Sequence, residues 1–308
     1  MTDARPRFGF IGTGIWARDV QLPAAAASDV VRLTSIYGRN RAAAETLAAE
    51  HGAKAETDLA AFLDGVDIVG IALPPSAQPE FAMAAIAAGK HLLLEKPVAV
   101  EVEAARRIAD GVDEKGLKSL VFFTGVLNRR SQTWLDDVRK VGGWVGGRVD
   151  AFSGVLVDPD NPFHSTAQWR AGTGALWDTV PHAVAMLTRI FGPVVEVTAA
   201  TGKGDLKAAI LSHRDGGLTT INLAMDLPSS VPGETVIYGA AGKRAMPAQV
   251  LDWKTNAREV YGEALASLVA SIGGQPTTHP DARFGAYVTE VIAAIERSIA
   301  ERRPVFLG

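Results

Sequence analysis

An apolar run that ends in a glycine loop constrains this fold more than any other feature. Phe8 to Ile11 leads directly into Gly12-Thr13-Gly14-Ile15-Trp16-Ala17, the G-x-G-x-x-A pattern of a strand turning tightly into a helix. Gly12 permits the turn, and Gly14 lets the backbone approach a pyrophosphate. Ala17 is small enough for close helix–strand packing. Thr13, Ile15 and Trp16 complete a loop whose helix N-terminus offers N–H groups to an anion. The helix extends to Ala24–Ala27, ended or bent by Pro23, and Val30 to Tyr37 forms the second strand of a βαβ unit.

The alternation then continues. Arg41 to His51 is an alanine-rich helix closed by Gly52, and Val66 to Leu73 is a buried-type strand stopped by Pro74-Pro75. Gln78 to Ala88 is helical, His91 to Leu94 is a strand, Glu101 to Lys115 a helix and Ser119 to Gly125 a last strand. Strands alternating with helices imply an α/β fold, with an N-terminal Rossmann doubly wound parallel sheet. Ligands of such sheets sit at the strand C-terminal ends, where Leu73-Pro74 and the glycine loop fall. The chain's 308 residues exceed one ordinary core, so two domains are expected: 1–125 for the dinucleotide and 126–308 for substrate and oligomerisation. In the second, Arg148–Val157, Val194–Thr201, Ala208–His213, Leu218–Met225 and Thr235–Gly239 read as strands. With helices over Gly174–Phe191 and Ala282–Glu301 they predict an α+β domain with a mainly antiparallel open sheet.

The end of the second strand bears on the cofactor. An NAD-binding chain usually places Asp or Glu there for the ribose hydroxyls. Here the strand ends Tyr37-Gly38-Arg39-Asn40, with no acid until Glu45. A guanidinium binds a 2′-phosphate that a carboxylate repels, so Arg39 favours NADP(H) over NAD(H).

Composition removes other classes. A net charge of −3 argues against a nucleic-acid partner, and the absence of cysteine excludes disulfides and thiol chemistry. The six histidines are scattered without zinc-type spacing, so no metal is expected. No stretch approaches the roughly 20 apolar residues of a membrane span, and Met1 to Gly12 lacks a signal core, so a cytoplasmic protein is expected.

The run Ala88-Gly89-Lys90-His91-Leu92-Leu93-Leu94-Glu95-Lys96-Pro97 resembles the Glu-Lys-Pro signature of the glucose–fructose oxidoreductase / inositol dehydrogenase / MocA family. Trp169-Arg170, followed by Gly172-Thr173-Gly174-Ala175-Leu176-Trp177-Asp178-Thr179-Val180-Pro181-His182, is similar to that family's glycine-rich G-G-A-L-x-D-x-x-x-H segment. The tail from His279 to Val305 resembles its last helix. The departures are Gln78, where a histidine is common near the proline turn, Thr173 for a glycine, and Val180 where glycine is frequent.

The resemblance implies that Lys96, Asp178 and His182 meet at a catalytic site, and that the open sheet face pairs subunits into a homodimer or homotetramer. It also implies a sugar or cyclic polyol as the small-molecule substrate. Hydride transfer at an alcohol needs a base for the hydroxyl proton and a cation for the developing alkoxide. His182 suits the first role because its ordinary pKa lies near neutrality, and Lys96 suits the second. Asp178 shares a helical face with His182, although Pro181 suggests that the segment bends or begins there. Leu73, Pro74, Gln78, Glu95 and Lys96 join the glycine loop and Arg39 as candidate cofactor contacts, and Arg129, His164 and Trp169 are candidate substrate contacts. Two alternatives stand beside this reading: a reductase of a non-sugar ligand of the dihydrodiol or tetrapyrrole type, and a non-catalytic dinucleotide-sensing regulator.

Overall fold

Strand β1 (Arg7–Ile11) lies between two parallel neighbours, in a kind of sheet whose crossover helices cover both faces, and Phe8 to Ile11 are buried, Phe8 and Phe10 wholly. The computed structural model describes residues 3–161, 163–164, 168–228, 231, 233–247 and 252–308, the stretch 168–175 by its backbone alone. After β1 come a π-helical turn (Ala17–Gln21), α1 (Leu22–Ala26), β2 (Arg32–Tyr37), α2 (Arg41–His51), β3 (Lys54–Glu56) and α3 (Leu59–Asp64). The chain continues through β4 (Ile68–Ile71), α4 (Gln78–Ala87), β5 (His91–Leu94), α5 (Val102–Glu114), β6 (Ser119–Val121) and α6 (Thr124–Leu127). These six strands form a parallel sheet in the order β3-β2-β1-β4-β5-β6. The order reverses between β1 and β4, which opens a crevice at their C-terminal ends. Gly12 follows β1 there, and Leu73-Pro74 follow β4.

The remainder comprises α7 (Arg129–Val141), β7 (Trp144–Phe152), α8 (Gln168–Phe191), β8 (Val194–Thr201), β9 (Lys207–His213), β10 (Leu218–Ala224), β11 (Glu234–Gly239), β12 (Gly242–Ala245), α9 (Trp253–Ile272), α10 (Ala282–Glu301) and β13 (Val305–Phe306). A seven-stranded sheet runs β12-β11-β7-β10-β9-β8-β13, antiparallel except for the parallel pair β7–β10. Along its strands Val149, Val197, Leu211, Ile221 and Ile237 are buried on one face. On the other, Ile210, Leu218, Tyr238 and Phe306 are exposed, Phe306 by 71%.

The chain divides into two units, Met1–Leu127 with Val250–Ala286, and Asn128–Gln249 with Tyr287–Gly308. The expected split near residue 125 therefore omits a return. Helix α9, absent from the sequence-based expectation, packs on the first unit through Val260, Tyr261, Ala264, Leu265 and Leu268, in one buried cluster with Phe8, Phe10 and Ile68. One further element differs from expectation. The strand predicted over Ser119–Gly125 stops at Val121 and α6 begins at Thr124. Asn128 then caps α7, its side chain accepting from the N–H groups of Arg130 (2.9 Å) and Ser131 (3.4 Å). Helix α8 does not begin at Pro181, which lies inside it and, having no N–H, forgoes the bond to the Trp177 carbonyl. No helix among the described residues is long and apolar enough to cross a membrane.

Candidate functional site

In the first unit, a cavity of about 520 Å³ opens at the C-terminal ends of β1, β2 and β4. Gly12, Thr13, Gly14, Arg39, Leu73 and Pro74 all line it, as their sequence positions predict. Gly12 has φ +133°, and a Cβ there would collide with the Ala72 carbonyl oxygen, so only glycine fits the turn. Gly14 is the opposite case. Among the described residues, chain neighbours aside, no atom lies within 4 Å of where its Cβ would stand, and the residue is exposed. That open space beside the first turn of a helix is a cradle a side chain would fill, and it fits the pyrophosphate of a dinucleotide. Ile15 and Trp16 form that first turn. Trp16 packs edge-on against Trp253 of α9, with ring centroids 5.6 Å apart.

Arg39 is exposed at the same cavity, and Asn40 caps α2 by accepting from the Ala43 N–H at 3.1 Å. The next acid along the chain, Glu45, pairs with Arg41 at 2.8 Å. The cavity also takes in Tyr37, Asn40 and Phe81, which sequence reasoning did not single out. Their signal was position alone, at the end of β2 and on the first turns of α4.

Beyond β5, Glu95 and Lys96 sit half-buried in a turn whose Lys96–Pro97 peptide is cis. Glu95 Oε2 accepts from the Lys96 N–H at 3.1 Å, and Glu95 Oε1 accepts from Gln21 Nε2 at 2.5 Å. Gln78 departs from its expected place on the cofactor. Its side chain is 0% exposed and bonds the backbone of Glu95, Pro97 and Val98, so it has no surface to offer a ligand.

In the second unit, α8 carries Asp178 and His182 one turn apart, both half-buried. His182 lines a second cavity of about 460 Å³ with Thr179 and Met186 of α8, Thr235 of β11, and Met246. Arg129 is exposed at the start of α7, and the His164 ring Nδ1 bonds the Val155 carbonyl at 2.9 Å. Neither Arg129 nor His164 lines that cavity. The Trp169 side chain lies outside the described residues. His213 is buried between the Gly192 carbonyl (2.7 Å) and Thr219 Oγ1 (2.8 Å), and burial pushes its pKa down. Among the described residues no group of three or more His, Asp or Glu side chains is placed to hold a metal.

Two family profiles match the chain: an oxidoreductase family with an NAD-binding Rossmann fold over residues 6–123, and the GFO/IDH/MocA C-terminal domain over residues 145–244. The chain belongs to the Gfo/Idh/MocA oxidoreductase family. Within it, the dTDP-3,4-didehydro-2,6-dideoxy-α-D-glucose 3-reductase of Streptomyces antibioticus is 24% identical over 304 residues, covering 96% of this chain and 90% of that one. The scyllo-inositol 2-dehydrogenase (NADP(+)) IolU of Bacillus subtilis (strain 168) is 35% identical over 114 residues, 36% of this chain and 34% of its own length. The WlbA dehydrogenase from Bordetella pertussis, solved in complex with NADH and UDP-GlcNAcA, matches with a TM-score of 0.84 at 23% identity, over 100% of this chain and 99% of that one. That likeness establishes the fold. As a Gfo/Idh/MocA protein the chain is an oxidoreductase with an NAD(P)-binding Rossmann unit, and the glycine loop lines the cavity of that unit.

Proposed function

We propose that this Gfo/Idh/MocA oxidoreductase prefers NADP(H) and transfers hydride to or from a secondary alcohol, hemiacetal or carbonyl of a sugar or cyclic polyol. Arg39, exposed on the cavity that holds the glycine loop and unaccompanied there by an acid, carries the cofactor choice. The substrate class draws on relatives named for a deoxysugar reductase and an inositol dehydrogenase. Gly12 to Trp16 would hold the pyrophosphate and Arg39 the 2′-phosphate, with Leu73, Pro74, Glu95 and Lys96 toward the nicotinamide. A bound nicotinamide supplies or accepts the hydride. The chain's own residues do the proton work: His182 takes the hydroxyl proton in oxidation or returns it in reduction. The Lys96 ammonium donates a hydrogen bond to the same oxygen, and Asp178, on the same helical face, orients the imidazole.

A second reading, reduction of a non-sugar ligand, draws on the cavity beside His182, where Val149, Ala151, Ala183, Met186, Met246 and Pro247 contribute apolar surface. A panel of sugars, cyclic polyols and dihydrodiols followed at the NADPH absorbance separates the two. His182→Ala should abolish turnover of the best substrate and leave NADPH affinity intact. Turnover at the wild-type rate would assign the acid/base to another group, and NADPH binding without turnover of any substrate would favour a sensing regulator. Self-association into a dimer or tetramer through the exposed sheet face, and a cytoplasmic location, belong to the same proposal. Light scattering of a Leu218→Lys variant tests the former.

A further inference from the structure

We propose that Gln78 is a positioning residue for Lys96. The proposal rests on the reading of Lys96 as the group that polarises the substrate oxygen. Gln78 opens α4 directly after the proline turn, and its side chain is 0% exposed. Its amide reaches the backbone on both sides of Lys96. Nε2 donates toward the carbonyl of Glu95 (2.8 Å), which precedes the lysine, and toward those of Pro97 and Val98 (both 3.2 Å), which follow it. Oε1 accepts from the Glu95 N–H at 3.1 Å, a hydrogen shared with the Ile71 carbonyl at the end of β4. Three carbonyls at one end of the amide and an N–H at the other fix which way it points.

Gln78 is thus a bridge across the base of the turn that presents Lys96. A second restraint comes through Glu95, whose carboxylate takes the Lys96 N–H on one oxygen and Gln21 of the π-turn on the other. The backbone of Lys96 is therefore held from α4 and, through Glu95, from the helix behind the glycine loop. An ammonium that must meet one oxygen within an ångström needs its backbone held in this way. The alternative job for Gln78, a direct cofactor contact, is closed by its burial.

Gln78→Met keeps the length and shape of the side chain and removes all four bonds. In this variant the Glu95 and Lys96 amides should exchange hydrogen faster by mass spectrometry. Its kcat on the best panel substrate should fall by about 100-fold, the scale of an ångström-sized misplacement, with NADPH affinity unchanged. Gln78→His, which restores one donor and one acceptor, should recover most of the rate. Gln78→Glu adds a pH signature. Protonated, the acid mimics the amide, whereas ionised it sets a charge against three carbonyl oxygens, so kcat should fall with rising pH along a limb that the wild type lacks.

Unchanged exchange at Glu95 and Lys96 in Gln78→Met overturns the proposal without any substrate. Faster exchange with wild-type kcat overturns it too, as does an equal loss of kcat and NADPH affinity. If Gln78→Met does not fold, a wild-type pH profile in Gln78→Glu is the overturning result. Lys96→Met separates the two claims. Full turnover in that variant removes the Lys96 reading and the proposal with it, whereas an inactive Lys96→Met beside a fully active Gln78→Met removes the bridge alone.

Discussion

Arg39 and Gln78 both lie beyond the C-terminal ends of parallel strands, Arg39 in the loop after β2 and Gln78 at the start of α4, yet their surroundings differ. Arg39 is exposed, so any charge it presents to a ligand is screened by salt. Arg39→Asp should weaken NADPH binding by roughly 10- to 100-fold, the worth of one or two charge-assisted hydrogen bonds, and should tighten NADH. Fluorescence titration at two salt concentrations reads both effects. Equal affinity of the wild-type protein for the two cofactors would count against the assignment. The place of Arg39 on the cavity was legible because it depends only on where a strand ends. That of Gln78 was not, because a glutamine after a proline turn looks the same whether it faces a cofactor or three buried carbonyls. Only the fold of the Glu95–Val98 turn distinguishes the two.

Among the elements, α9 governs the glycine loop without contributing to its motif. Lys254 at the helix N-terminus pairs with Asp19 of the π-turn at 2.8 Å, and Arg258 Nε donates to the Asp19 carbonyl at 2.7 Å. The Arg18 guanidinium at 2.7 Å, with Lys254, holds the Asp19 carboxyl at about 2, below its ordinary 3.8. A folded value below the unfolded one stabilises the fold above about pH 4, and that stabilisation is lost as pH falls toward 2. Asp19→Asn should therefore lower Tm at pH 6, and the gap between variant and wild type should close near pH 2. A gap that persists there would show that Asp19 acts by packing rather than charge. Trp16 and Trp253 provide a fluorescence readout of the same contact. Helix α2 was legible to the residue because Asn40 caps it and Gly52, in the left-handed region, ends it. Helix α9 carries its own signal in Ala257, Val260, Tyr261, Ala264, Leu265 and Leu268, spaced for one helical face. The three-residue strand β3 and the parallel β7–β10 pair had no such local mark, since pairing between distant strands leaves no periodicity in either one.

For the whole molecule, the decisive fact is that the first unit is not continuous in sequence. Val260, Tyr261, Leu265 and Leu268 are each at most 2% exposed, and each buried side chain of this size contributes about 1.5–3 kcal/mol. Together they rival the roughly 5–15 kcal/mol that separates a typical folded domain from its unfolded state. A fragment ending at Gly125 should therefore be unfolded or aggregated by circular dichroism. Residues 1–127 joined by a flexible linker to residues 250–286 should fold and bind NADPH. A well-folded 1–125 fragment would show that α9 is dispensable. The return also sets an order of events during synthesis. A chain leaves the ribosome from its N-terminus, and domains ordinarily fold as they emerge. Here the dinucleotide-binding half is made first and finished late: its covering helix follows almost the entire second sheet out of the exit tunnel. Until then, the apolar face that α9 will occupy stands open, and the nascent protein depends on its own speed, or on a chaperone, to keep that face from other chains.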